Sequence, residues 1–250
     1  MSKRNGRQEI RSAVLTMCYR TNSGIIPCTI WSLLEVIRRP QLTEQLTASI
    51  SPYSPSRGAS YNVDGIANLS PMRSLLAETV RLRTAAMHVY STREGLVLDE
   101  HWTIPGATPI VTFSHDLALN TEAWAKAQPR TVEKPLEEYW PERYLSHDRA
   151  GSRPTSKSAQ GGVPSTSRVD ELLSMGSSFG NQSILGCEHA RATHAATLAV
   201  LLNEFEIQLS DPEFFDAVLP PAREVAFGML KPMENVAVRI RNRTSSRGHD

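Results

Sequence analysis

Residues 70–87, SPMRSLLAETVRLRTAAM, and residues 178–202, SFGNQSILGCEHARATHAATLAVLL, decide how this chain folds. In the first stretch Ser70 stands where a side chain caps a helix, and Pro71 where its fixed φ suits the first turn. Met72, Leu75, Leu76, Val80 and Leu82 form the apolar side of the helix. Glu78 and Arg81 are three apart, share a face and can pair. In the second stretch a loop bearing Phe179 and Gly180 runs into an Ala- and Leu-dense helix over 188–207, with Cys187 at its start. Unpaired N–H groups and the helix dipole favour a thiolate at such a place, and a Gly-bearing loop lets a flat group approach the backbone. Taken singly, the simplest readings are a surface ion pair and a buried structural cysteine.

Working outward, a third segment, Trp140-Pro141-Glu142-Arg143-Tyr144, sets an Arg among aromatic residues in a rigid loop. From there it can reach a buried carboxylate bidentately. Residues 25–38 read as a helix through Trp31, Leu34 and Ile37, stopped by Pro40. Residues 41–50 read as a short amphipathic helix, and 51–69 as loop. Runs at 96–98 and 109–113, with a shorter WTI between them, read as strands of a small sheet, and Pro105-Gly106 as a turn. Residues 114–146 read as irregular, with a short helix near NTEAWAKA. His115-Asp116 reads as a pair of edge residues beside the second strand, pointing to opposite faces. VAVRIR near the end alternates as a half-exposed strand does. Residues 150–168 are low-complexity and read as a flexible insertion, and 244–250 as a disordered tail.

Composition bounds the function. The chain has 250 residues, 40% of them hydrophobic, with 16 Pro and a formal net charge of +1. A balanced charge gives no sign of nucleic acid as a partner. Three cysteines, Cys18, Cys28 and Cys187, are too few and odd in number for a disulfide framework. No apolar run reaches the length of a membrane span. A zinc site on Cys187, His189 and His194 has irregular spacing and no evident fourth ligand. No dinucleotide fingerprint is present.

In order and spacing these segments resemble the cytochrome P450 family. LLAETVRL is similar to the family's Glu-x-x-Arg helix. YWPERYL is similar to its Pro-Glu-Arg-Phe segment, with Tyr144 in place of Phe. SFGNQSILGCEHARATHAATLAVLL is similar to the cysteine loop and the helix behind it. HWTIPGATPIV resembles the family's hairpin strands, and VAVRIRNR its final strand. TNSGIIPCTIWSLLEVIRRPQL resembles the second half of the long helix that crosses the haem face. The group containing prostacyclin synthase and the sterol hydroxylases is the nearest in flavour, and there Asn can stand for the usual oxygen-side Thr. The resemblance covers roughly residues 15–243 apart from the insertion.

The resemblance implies a mostly α fold with a small β part, a truncated cytochrome P450 fold running from the central long helix onward. Residues 1–250 would form one partial domain. It implies haem as cofactor, with Cys187 the axial ligand of the iron and Phe179 and Gly180 in the loop beside it. Asn22 is the nominee on the oxygen side. Glu78, Arg81 and Arg143 would form a buried structural charge triad. The implied activity is monooxygenation of a hydrophobic small molecule with electrons from a separate reductase; relatives sit at the endoplasmic reticulum. The loop departs from the family pattern: Phe179 lies eight residues before Cys187, where the usual spacing is seven. Ser183 replaces Gly, Leu185 the usual basic residue, and His189 the usual Gly. Tyr90 stands where a propionate-binding Arg is usual, with His88 and Arg93 nearby. These departures leave a second expectation: a non-catalytic remnant that binds haem poorly or not at all.

Overall fold

The structure, a computed structural model, describes residues 10–15, 18, 21–54, 60–85, 87–145, 186–217, 228–232 and 234–243. The insertion expected at 150–168 and the tail at 244–250 lie outside the described residues. Residues 10–15 are helical. A π-helical turn, Thr21–Ile25, leads into α1, Ile26–Ile37. Arg39, in extended conformation, separates α1 from α2, Pro40–Ile50, because Pro40 cannot continue the first helix. α3, Val63–Ala67, corrects the reading of 51–69 as loop throughout: the Asn62 side chain caps it by accepting from the Gly65 N–H at 3.0 Å.

α4, Ser70–Arg83, begins one residue earlier than the capping pattern predicts. Leu69 is the extended cap residue and Ser70 lies inside the first turn, so its side chain makes no cap bond, while Pro71 does sit at the start. The helix also ends earlier than Met87. The chain turns extended at Thr84, and Thr84–Ala85 forms β1, paired antiparallel with β7, Gly228–Met229. Gly228 has φ +105°, a conformation that L side chains rarely adopt. β2, Met87–Ser91, pairs antiparallel with β5, Pro109–Phe113, in the register Met87↔Phe113 and Val89↔Val111. Between them β3, Leu96–Val97, and β4, Thr103–Ile104, form a hairpin. The turn after β4 contains Gly106, where a Cβ would come within 2.8 Å of the Arg93 carbonyl, and Ala107, which takes the positive φ of 61°.

α5, Ser114–Ala118, contains His115 and Asp116, which therefore follow the second strand in a short helix rather than in a loop edge. α6, Thr121–Ala127, is capped by Asn120, which accepts from the Ala123 N–H at 2.9 Å. Loop 128–145 follows, with 3-10 turns at Pro129–Val132 and Pro141–Tyr144. α7, Gly186–Glu204, passes directly into β6, Phe205–Leu209, so FEIQL, which by sequence could close the helix or begin a strand, begins the strand. α8 is Phe214–Ala217, and β8, Val238–Asn242, pairs with β6 along all five residues. The fold is mostly helical, with small antiparallel two-stranded sheets.

The main core gathers Val36 from α1, Leu42, Leu46 and Ile50 from α2, Ile66 from α3, Met72, Leu75 and Leu82 from α4, and Ala195, Leu198, Ala199 and Leu202 from α7. The buried spacing 195, 198, 199, 202 is the stripe of a helix period. A smaller cluster sets Trp31 edge-on to Phe215, ring centroids 6.3 Å apart. The Trp31 indole N–H donates to the Leu230 carbonyl at 2.8 Å, tying α1 to the segment after β7. Among the described residues no helix is long and apolar enough to cross a membrane.

Candidate functional site

α4 carries Glu78 into the interior, where it is fully buried. One face of its carboxylate meets Arg81 from the same helix: Nε donates to Oε2 and Nη2 to Oε1, each at 2.8 Å. This bidentate geometry is available because three residues of helix bring the two side chains onto one face. The other face meets Arg143, whose Nε donates to Oε1 at 3.0 Å. Pro141 starts the tight turn that aims Arg143 inward. The structure therefore brings Glu78, Arg81 and Arg143 together.

Two further donors complete the carboxylate. The Trp140 backbone N–H reaches Oε1 at 2.9 Å, and the Tyr144 hydroxyl donates to Oε2 at 3.1 Å. The Tyr144 phenol is held well above its usual pKa by burial and by the negative charge of Glu78, so it stays protonated and donates. Burial opposes the charge on Arg81, but the hydrogen bonds and charge of Glu78 outweigh it and its pKa lies above the usual value.

One carboxylate faces two guanidiniums, so one positive charge needs other partners. Backbone carbonyls supply them. Arg143 donates to the carbonyls of Thr131, Pro135 and Glu138, and Arg81 to that of Ala118 at 2.9 Å. Arg81 also stands over the Trp124 ring and Arg143 over that of Trp140, 5.7 and 5.2 Å from the centroids. Fully bonded and buried, the cluster locks loop 128–145 onto α4. It holds no free acid, base or nucleophile.

A second buried carboxylate was not singled out in the sequence. Glu35 on α1, 1% exposed, pairs with Arg39 one turn later and with Arg83 Nη2 at 2.6 Å. Arg83 also lies over the Trp31 ring, 4.4 Å from its centroid. The i, i+4 spacing of Glu35 and Arg39 was the available signal; Arg83 comes only with the tertiary fold.

The remaining nominees divide. Cys187 lies in the first turn of α7, though its side chain is outside the described residues. Asn22 lies in the π-helical turn before α1, its side chain likewise outside. Phe179 and Gly180 are outside the described residues altogether. Tyr90 is exposed on β2. The two histidines of the disfavoured zinc set lie apart: His189 is exposed, whereas His194 points into the core and meets Ser32 Oγ at 2.9 Å. Five residues on a helix turn two side chains about 140° apart, so these imidazoles face different sides. No group of three or more metal-ligating residues occurs among the described residues.

A cysteine in the first turn of a helix, the place of Cys187, is where the helix dipole favours a thiolate, which fits the single sulfur ligand that a haem iron takes.

The class defined here is a mainly helical domain with small antiparallel sheets, pinned through a buried Glu–Arg–Arg cluster, with a cysteine opening its longest described helix. The chain is 26% identical over 244 residues to the cytochrome P450 monooxygenase fsoE of Humicola fuscoatra, covering 92% of this chain and 41% of that protein. It is 25% identical over 248 residues to the cytochrome P450 monooxygenase efuG of Hormonema carpetanum, covering 92% and 43%. It is 24% identical over 206 residues to the cytochrome P450 monooxygenase calL of Penicillium decumbens, covering 78% and 34%. No protein-family model matches. The chain is thus similar to cytochrome P450 monooxygenases, and it spans about two fifths of the length of the first two of these relatives.

Proposed function

We propose that this chain is the haem-thiolate portion of a cytochrome P450-type monooxygenase, one that inserts an oxygen atom from O2 into a hydrophobic small molecule, with secondary metabolism as the setting. The observation that carries the reading is the meeting of Glu78, Arg81 and Arg143 in one buried cluster, in a chain similar to P450 monooxygenases. On this reading Cys187 would ligate the iron, Phe179 and Gly180 would lie in the loop beside the ring, and Asn22 would face the oxygen side. When bound, haem supplies oxygen activation through a thiolate-ligated iron. The first-turn N–H groups of α7 hold the negative charge on sulfur. The Glu78 cluster fixes the loop and helix that back the site and moves no proton. Electrons would come from a separate reductase, and association with the endoplasmic reticulum belongs to the same reading.

The second reading, a non-catalytic relative that binds haem poorly or not at all, is favoured by Leu185 and His189, which replace the usual basic residue and Gly near the cysteine. Titration of the purified chain with haem separates the two. The first reading expects a Soret band and, on reduction under carbon monoxide, the red-shifted thiolate spectrum, lost in Cys187→Ala. A native protein that gives no such shift refutes thiolate ligation.

A further inference from the structure

Four buried polar side chains join in a line apart from the Glu78 cluster. His194 Nε2 lies 2.9 Å from Ser32 Oγ, Ser32 Oγ 2.9 Å from Thr79 Oγ1, and Thr79 Oγ1 2.9 Å from Tyr139 Oη. Each comes from a different part of the fold: α7, α1, α4 and loop 128–145. All four are buried, His194 to 1% exposure and Ser32 and Thr79 to 0%.

The order of protons along the line follows from its end. Thr79 Oγ1 lies 2.9 Å from the Leu75 carbonyl, which can only accept. The Thr79 hydroxyl donates its proton there, so toward Ser32 it accepts. The Ser32 hydroxyl donates to Thr79 and has no second proton, so it accepts from His194. The Nε2 of His194 therefore carries the hydrogen. Tyr139, 3.2 Å from the same Leu75 carbonyl, donates to it or to Thr79. His194 Nδ1 is left as a bare lone pair with no hydrogen-bond partner, a smaller cost than a buried orphan N–H. Burial keeps the ring neutral, its pKa lowered to about 4.

His194 stands seven residues after Cys187, two turns along the same helix. The rest of the buried stripe of α7 is Ala190, Ala195, Leu198, Ala199 and Leu202. Apolar contacts are non-directional. At the far end of α7 Asn203 donates to Ser54 Oγ at 2.7 Å and Glu204 accepts from the Tyr61 hydroxyl at 2.8 Å. Nearer the start of the helix the N–H···O bond of His194 to α1 supplies the directional contact.

We propose that His194 is a positioning residue: its bond to Ser32 fixes the rotation and axial register of α7 on α1 and α4, and thereby where Cys187 presents its sulfur. The purpose of this device rests on the haem-thiolate reading; its test does not. In a Cys18→Ser background the alkylation rate of Cys187 by iodoacetamide reports the setting of the helix start, because Cys28 is 1% exposed with its thiol pushed up to about 12 and stays silent. His194→Met removes the N–H, Ser32→Ala removes its acceptor, and His194→Gln places an amide N–H near the position of Nε2.

The expected result is a rate changed at least about fivefold in His194→Met and in Ser32→Ala, the size that one lost buried hydrogen bond implies. His194→Gln should stay within about twofold of the parent, the scatter of independent sites. Should His194→Met fail to fold, Ser32→Ala and His194→Gln carry the same comparison. Unchanged rates in the variants that lack the bond, or a His194→Gln rate shifted as far as theirs, overturn the proposal. A native protein without a thiolate spectrum overturns the haem reading instead, and the alkylation rates still decide the role of His194.

Discussion

Replacing Glu78 by Gln separates charge from shape at the centre of the cluster. The carboxylate receives donors from Arg81 Nε and Nη2, Arg143 Nε, the Trp140 N–H and the Tyr144 hydroxyl. In Glu78→Gln one oxygen becomes an amide nitrogen, so some of these donors face another donor. Two guanidiniums are left buried without their counter-charge. Breaking a buried pair in this way costs about 3–5 kcal/mol. A domain has only about 5–15 kcal/mol in total. With a urea slope of about 2 kcal/mol/M, the unfolding midpoint should fall by about 2 M. Urea titration followed by tryptophan fluorescence reads this directly. Glu122→Gln is the control: its pair with Lys126 is open to water at 2.8 Å, both side chains more than 70% exposed, and its midpoint should not move. Coincident midpoints for the two variants would refute the view that the buried cluster locks loop 128–145 onto α4.

Three further outcomes follow from other parts of the structure. Tyr144→Phe removes the one side-chain hydroxyl that meets Glu78 among the described residues while leaving the arginines in place, and should lower stability by about 1.5 kcal/mol, seen as a reduced midpoint in calorimetry; an unchanged midpoint contradicts the bond. His194 has a folded pKa of about 4 against 6.5 unfolded, so between these values the unfolded chain binds a proton that the native chain does not. Stability is full above pH 6.5 and falls as pH drops toward 4, by about 3 kcal/mol. That slope should vanish in His194→Gln, and its persistence would show that other groups produce it. Asn120→Ala deletes the cap of α6 and should cost about 1 kcal/mol, local to residues 120–128 in hydrogen exchange.

Much of the helical frame was legible because helices declare themselves locally. The apolar spacing in 26–37, 40–50 and 186–204 needs no partner to be recognised, and Asn120 marks its own helix. β2 was missed for the opposite reason. Thr84–Ala85 and Met87–Ser91 continue a helical sequence, and pairing with Gly228–Met229 and Pro109–Phe113 turns them extended. Glu78 and Arg81 were visible as a spacing and Arg143 as a rigid loop residue, but no spacing revealed that Trp140 and Tyr144 meet the same carboxylate. Ser32, Thr79 and Tyr139 carry no sequence signal at all: a hydroxyl on an apolar face is indistinguishable from a tolerated one until its neighbour 47 or 60 residues away is seen.

The alanines of α7 have a consequence for how this protein can vary. Ala195 and Ala199 are sealed at 0% exposure in the main core. A larger side chain there has to displace packed neighbours, and overpacking of that kind costs about 1–3 kcal/mol. In a saturation library these two sites should reject bulk, while Thr197 and Val200 on the outer surface accept nearly anything. The drift of the sequence through time would then be narrow at two alanines that bear no functional group.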